Sequence, residues 1–175
     1  MAKINDCDIP EDLYYDGEHD VWVRFEENNT FVVGMTDIAQ SLAGRFLYAH
    51  IKEAGNHIES GKSIATVESS KWVGPVRTPV MGEIIAVNEK VEDDPSLINK
   101  SPYNEGWIVR LKCHDIESAK AKLFTGKAAV EAYRKKIERE KIQSFEYHLR
   151  SSRESIIQSP RLHSRSTAHK QQAEQ

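Results

Sequence analysis

The sequence predicts a mainly β fold carrying a C-terminal α-helical extension. Three observations carry that reading. Short apolar runs, each closed by Gly, Pro or Asn, fill the chain as far as Asp115, which implies a small closed β architecture. Apolar residues at Val130, Tyr133, Ile137, Phe145 and Leu149 then recur at helical spacing. No apolar run of about eighteen residues, the length needed to cross a bilayer, interrupts either part.

Runs 21–25 and 30–33 flank Glu26-Glu27-Asn28-Asn29, whose asparagines tolerate positive φ, so the pair is expected to be a hairpin. Thr36 is placed to cap a short helix over 37–42 that stops near Gly44. Strands are expected at 46–51, 63–67, 73–78 and 83–87, separated at Gly55, Gly61, Pro79 and Gly82. Pro95 is expected to open a helical turn over 96–99. Asp115 can cap a helix reaching Leu123, and Thr125 can cap a longer one over 127–150, whose apolar stripe would pack on the β body. The expected organisation is a β domain over residues 1–114, helices over 115–150 packed on it, and a polar, aperiodic and therefore disordered tail over 151–175.

Charge is divided unevenly. Residues 1–120 carry 12 Lys+Arg against 21 Asp+Glu, a balance of −9, and residues 121–175 carry 12 against 6, a balance of +6, so the net −3 conceals an acidic body and a basic tail. An acidic body suits basic partner surfaces. The tail interleaves Glu131, Glu138, Glu140 and Glu146 with its bases and offers no nucleic-acid motif, so neither nucleic acid nor membrane is an expected partner. The first residues contain no apolar leader, and a cytoplasmic protein is expected. Cys7 and Cys113 have neither redox nor zinc spacing and read as ordinary thiols. His19, His50, His57 and His114 likewise lack ligand spacing, and no nucleophile triad can be assembled, so no metal site and no catalytic residue is expected.

Lys71 is the residue that points to chemistry. It lies between two β runs in Val67-Glu68-Ser69-Ser70-Lys71-Trp72-Val73, where a strand–turn–strand element would hold it out on a rigid base. A lysine so placed suits covalent attachment of a cofactor that then swings.

The surrounding blocks, from Tyr15 to Lys112, sharpen this. They are Glu18-His19-Asp20-Val21-Trp22-Val23, then Val33-Gly34-Met35-Thr36-Asp37-Ile38-Ala39-Gln40, then Gly55, Gly61 and Val67-Glu68-Ser69-Ser70-Lys71. Thr78-Pro79-Val80-Met81-Gly82-Glu83-Ile84 follows, and then Val87-Asn88-Glu89, Leu97-Ile98-Asn99, Ser101-Pro102-Tyr103 and Gly106-Trp107-Ile108-Val109. In this order they resemble the glycine cleavage system H protein family of lipoyl carriers. The resemblance implies the barrel-sandwich hybrid of lipoyl domains, two antiparallel sheets with Lys71 at a hairpin tip, and a lipoate on Lys71. It implies that Glu68 helps a lipoyl-attaching enzyme select its target, that Gly55 and Gly61 hold turns, and that Glu18 and Asp20 border the arm's resting groove. No Met flanks Lys71, which argues against a biotinyl domain.

The run Trp72-Val73-Gly74-Pro75 departs from that family, in which small residues and then an acidic one follow the lysine. A collar of Trp72, Val73 and Pro75 gives a cationic cargo no carboxylate partner. It resembles the lipoate-binding proteins that accompany heterodisulfide-reductase-like complexes in sulfur oxidation. The expectation is a non-catalytic swinging-arm carrier moving a sulfur-bound group among sulfurtransferases, such a complex and a dihydrolipoamide dehydrogenase-like oxidoreductase. The alternative is a carrier of the aminomethyl group among glycine-cleavage enzymes, and a further one is an adaptor barrel without lipoate.

Overall fold

The computed structural model describes residues 1–158. Its β-strands are β1 (Ala2–Ile4), β2 (Cys7–Ile9), β3 (Tyr14–Asp16), β4 (Val21–Phe25), β5 (Thr30–Met35), β6 (Phe46–Ile51), β7 (His57–Ile58), β8 (Ser63–Ser69), β9 (Val73–Arg77), β10 (Gly82–Val87), β11 (Trp107–Lys112) and β12 (Phe124–Thr125). Its helices are α1 (Asp37–Ala43), α2 (Glu89–Asp93), α3 (Leu97–Lys100), α4 (Ile116–Lys120), α5 (Gly126–Glu140) and α6 (Phe145–Gln158). A large sheet runs β12-β3-β4-β5-β11-β10-β7, a smaller one β6-β8-β9, and β1 pairs with β2 as a separate N-terminal ribbon. Every strand pairing is antiparallel.

Period-two alternation lets the central strands bury both faces. Val21 and Val23 of β4, with Phe31 and Val33 of β5, face a core shared with Phe46, Ala65, Val67 and Val76 of the small sheet. Trp22 and Val32, one residue out of phase, face a second core built with Ile4 and Ile9 of the N-terminal ribbon and with Ala129, Tyr133 and Ile137 of α5. The apolar stripe of α5 therefore packs on the back of the large sheet, and the helical extension shares its core with the N-terminus instead of forming one of its own.

Local signals produced the expected elements where they were strong. Asn28 and Asn29 take φ of 58° and 56° between β4 and β5. The Thr36 hydroxyl accepts from Ala39 N at 3.1 Å, and α1 ends at Gly44. Asp115 caps α4 through Ser118 N at 3.1 Å.

Three expectations are corrected. The single helix over 127–150 is two, because Lys141 adopts the left-handed conformation at φ 53° and both its N–H and that of Ile142 close onto the Ile137 carbonyl. Ser144 then starts α6, its hydroxyl accepting from Tyr147 N at 3.1 Å, and Leu149 is exposed rather than part of the buried stripe. Thr125 occupies the cap position of α5, but its hydroxyl donates to Leu13 O at 2.9 Å because β12 pairs with β3 there. Helix α6 also covers residues 151–158, where disorder was expected, while 159–175 lie outside the described residues. No described helix is long and apolar enough to cross a membrane.

Candidate functional site

Strands β8 and β9 pair with Glu68 opposite Val73, which leaves Ser69-Ser70-Lys71-Trp72 as the connecting tip. Ser69 organises this tip. Its N–H donates to Trp72 O at 2.8 Å, and its side-chain oxygen accepts from Trp72 N at 3.1 Å and Lys71 N at 3.3 Å. The same hydroxyl donates to Ala43 O at 2.6 Å, fastening the tip to the end of α1. Lys71 is exposed, and its stem runs over Gly44, where an added Cβ would lie 3.0 Å from Lys71 Cε. Gly44 has φ of 83°, so both its backbone conformation and its contact with the lysine favour glycine.

Beside the tip opens a cleft of about 220 Å³. Met35, Leu42, Trp72, Pro75 and Val76 give it an apolar wall, and His19 and Asp20 supply its charged or titratable groups. Trp72 is 39% exposed, and its ring lies against Gly74 so closely that a Cβ there would fall 2.1 Å from Cζ2. Asp20 Oδ2 pairs with Lys136 Nζ of α5 at 2.5 Å. Burial raises the Asp20 carboxyl above the usual carboxylate range, while Lys136 pulls it back and Glu140 and Asp16 push it further up. His19 Nδ1 lies 2.6 Å from Asp16 Oδ2.

The expected site residues are thus distributed unequally. Lys71, Trp72, Pro75 and Asp20 converge on the tip and its cleft. Val73 is exposed on the outer face of the small sheet, in one row with Glu68 and Tyr48, and Glu18 is exposed in the turn before β4 with its N–H on Asp16 Oδ1 at 2.9 Å. Gly55 and Gly61 lie at the other end of β6 and β8, about 20 Å along the strands from the tip. Their N–H groups donate to Ile84 O and Thr78 O, both at 2.7 Å; the first ties the segment after β6 to β10, and the second closes the open end of the β8–β9 hairpin. Sequence reasoning missed Ser69 as the tip's organiser, Gly44 as the lysine's seat, Leu42 and Met35 as cleft wall, and Lys136 as Asp20's partner.

The two cysteines sit apart in different cores, and burial together with Asp37 pushes the Cys7 thiol up to about 12.

An exposed lysine on a braced hairpin tip, set beside an apolar cleft in a two-sheet β fold, defines a lipoyl-domain carrier. The chain belongs to the glycine cleavage H-protein family, whose model matches residues 13–137. It is 44% identical over 144 residues to a probable glycine cleavage system H protein 2 of Saccharolobus solfataricus, covering 81% of this chain and 97% of that one. A protein of the same name from Sulfurisphaera tokodaii is 46% identical over 145 residues, with 82% and 97% covered. Glycine cleavage system H protein 2 of Aquifex aeolicus is 44% identical over 142 residues, with 81% and 88% covered. The crystal structure of a glycine cleavage system H protein from Mycobacterium marinum superposes with a TM-score of 0.61 at 29% identity, over 71% of this chain and 95% of that one. Proteins of this family carry lipoate covalently attached to a lysine and act as carriers rather than catalysts.

Lipoate fits the residues present. Amide formation needs an accessible amine, which Lys71 offers, and an apolar arm needs an apolar resting place, which the Trp72–Leu42–Met35 wall offers.

Proposed function

We propose that Lys71 bears the lipoate and that the chain is a swinging-arm carrier exchanging cargo with the enzymes of a glycine-cleavage-type system. The observation that carries the proposal is the tip itself: Ser69 fixes the turn to α1 while Lys71 stays exposed over Gly44. When attached, lipoate supplies a dithiolane that cycles between disulfide and dithiol and can hold a group on sulfur. The chain's own residues supply position. Ser69 holds the lysine's backbone, Gly44 gives its stem room, the cleft wall offers the arm an apolar rest, and Glu68 stands on the exposed sheet face where a lipoyl-attaching enzyme approaches.

The names of the relatives support the glycine-cleavage reading and place it ahead of sulfur transfer, reversing the order suggested by Trp72-Val73-Gly74-Pro75 alone. One specific observation favours sulfur transfer as a second reading. The carboxylate lining the cleft, Asp20, is already committed to Lys136, which leaves a cationic cargo no free counter-charge there.

Intact-mass measurement after incubation with a lipoyl-attaching enzyme and lipoate tests the carrier reading. A gain of one lipoyl group is expected for the wild-type chain and none for Lys71→Arg, which keeps the charge without offering an acylatable amine. An undiminished gain in that variant removes Lys71 from the role. Reconstitution with glycine decarboxylase and aminomethyltransferase on one side, and with a sulfurtransferase and heterodisulfide-reductase-like complex on the other, orders the two cargo readings.

A further inference from the structure

We propose that Lys136 is a specificity-determining residue for the cargo. By cancelling the charge of Asp20, it makes the cleft beside Lys71 shelter an uncharged head group and turn away a cationic one. The inference rests on the lipoyl-carrier reading, and it implies that a cationic aminomethyl arm would be carried outside this cleft.

The cleft contains few charges. Its wall is apolar at Met35, Leu42, Trp72 and Pro75, so a charged head group entering it sheds water and needs a fixed counter-charge in exchange. Asp20 is the carboxylate among the lining residues. It is not available: Lys136 reaches it from α5, on the far side of the β3–β4 turn, and closes an ion pair at 2.5 Å. The two side chains are only 15% and 19% exposed, so solvent and salt screen the pair little. Of the neighbouring acids, Asp16 is committed to His19 at 2.6 Å and Glu140 to Arg139 at 2.7 Å, while Glu18 is exposed in the turn and is not among the lining residues. An incoming cation would therefore meet a carboxylate already satisfied by a cation, at the cost of its own hydration. An uncharged head group meets only the apolar wall and loses nothing.

Asp20 Oδ1 supports the same reading. It is buried and finds no hydrogen-bond partner among the described residues, so Lys136 is the principal compensation for this carboxylate. Removing the lysine should leave the Asp20 carboxyl free to pair with an entering cation, and removing both charges should restore a cleft without a counter-charge.

The test uses the lipoylated full-length chain with its arm reduced and both arm thiols capped, either by 2-bromoethylamine, giving cationic ends, or by 2-bromoethanol, giving neutral ends of similar size. Cys7 and Cys113 are buried, and mass measurement confirms that capping is confined to the arm. Docking is read from the indole N–H resonance of Trp72, assigned with Trp72→Phe. In the wild-type chain the hydroxyethyl arm should shift this resonance and the aminoethyl arm should leave it near its uncapped position. Lys136→Met should favour the aminoethyl arm by about tenfold relative to wild type, the factor that one charge-assisted contact supplies. Lys136→Met combined with Asp20→Asn should return the neutral preference, and Lys136→Arg should keep it. If Lys136→Met does not fold, Lys136→Gln serves, since it keeps a polar partner for Asp20 while removing the charge and should move the preference toward the aminoethyl arm. Equal docking of both arms in the wild-type chain, or a preference indifferent to these substitutions, overturns the proposal. A chain that takes up no lipoate at Lys71 overturns the carrier reading itself, and that result appears in the mass before any capping.

Discussion

The hydroxyl of Ser69 and the carbonyl of Ala43 meet at 2.6 Å, joining the β8–β9 tip to the C-terminal end of α1. Ser69 is 5% exposed, so the contact is not open to water, and the Ala43 carbonyl belongs to the last turn of a helix, where intrahelical donors run out. Ser69→Ala should therefore cost about 1–3 kcal/mol, the penalty for leaving a buried acceptor without its donor. Urea unfolding at neutral pH measures this. The same variant should be lipoylated more slowly, because the backbone N–H groups of Lys71 and Trp72 lose their shared acceptor. Wild-type stability together with a wild-type lipoylation rate would show that the tip needs no such brace.

Gly74 is required by Trp72 rather than by its own backbone. A Cβ at this position would lie 2.1 Å from Trp72 Cζ2, so Gly74→Val must drive the ring from its place in the cleft wall. The expected outcome is a red-shifted tryptophan emission with the two-sheet core intact, since Val67 and Val76 beneath it are untouched. Trp72→Phe should lose the shift, and emission unchanged by Gly74→Val would mean that the ring does not rest there.

The sequence exposes what is local and hides what is distant. Asn28-Asn29, Thr36 and Gly44 each act within a few residues, and each was readable as a turn, a cap or a stop. Lys71 was readable for the same reason, since both arms of its hairpin lie on either side of it. The pairing of β12 with β3 and the Lys136–Asp20 contact join residues more than a hundred positions apart, and no periodicity encodes either. The break at Lys141 was hidden because a lysine takes the left-handed conformation where glycine is the usual signal. The back of the large sheet explains why β4 and β5 read as nearly continuous apolar runs: they are covered on both faces.

Asp20 should leave a signature in the pH dependence of stability. Burial holds its folded-state carboxyl above the ordinary value of about 3.9, against the opposing pull of Lys136. The folded chain therefore binds more protons at this site than the unfolded chain as pH rises from about 4 through the raised value, and the stability contributed by Asp20 falls across that window. Asp20→Asn removes the slope. The difference in unfolding free energy, variant minus wild type, should climb between pH 4 and its plateau at higher pH, as read from urea midpoints. A difference that declines with rising pH would mean that Lys136 outweighs burial. Asp37, also raised chiefly by burial, is common to both proteins and cancels in the comparison.

The division between α5 and α6 predicts the sign of a substitution. At Lys141, φ of 53° and ψ of 42° place a lysine in the left-handed region, which costs an L-residue about 1–2 kcal/mol and glycine almost nothing. If the helix ends there, Lys141→Gly relieves that cost and should raise stability by up to about 1 kcal/mol despite the larger backbone entropy glycine loses on folding. If the chain instead ran as one helix across this position, the same change would put glycine in a helix interior and lower stability by about 1 kcal/mol. Ile137 supplies the control. It is fully buried in the core shared with Trp22 and Ile9, and its carbonyl receives the N–H groups of Lys141 and Ile142 in either variant. Ile137→Ala should cost about 2–5 kcal/mol, confirming that α5 is docked on the large sheet while the Lys141 result reports only on where that helix stops. Urea unfolding of both variants beside wild type gives the two signs, and a destabilised Lys141→Gly would overturn the two-helix description.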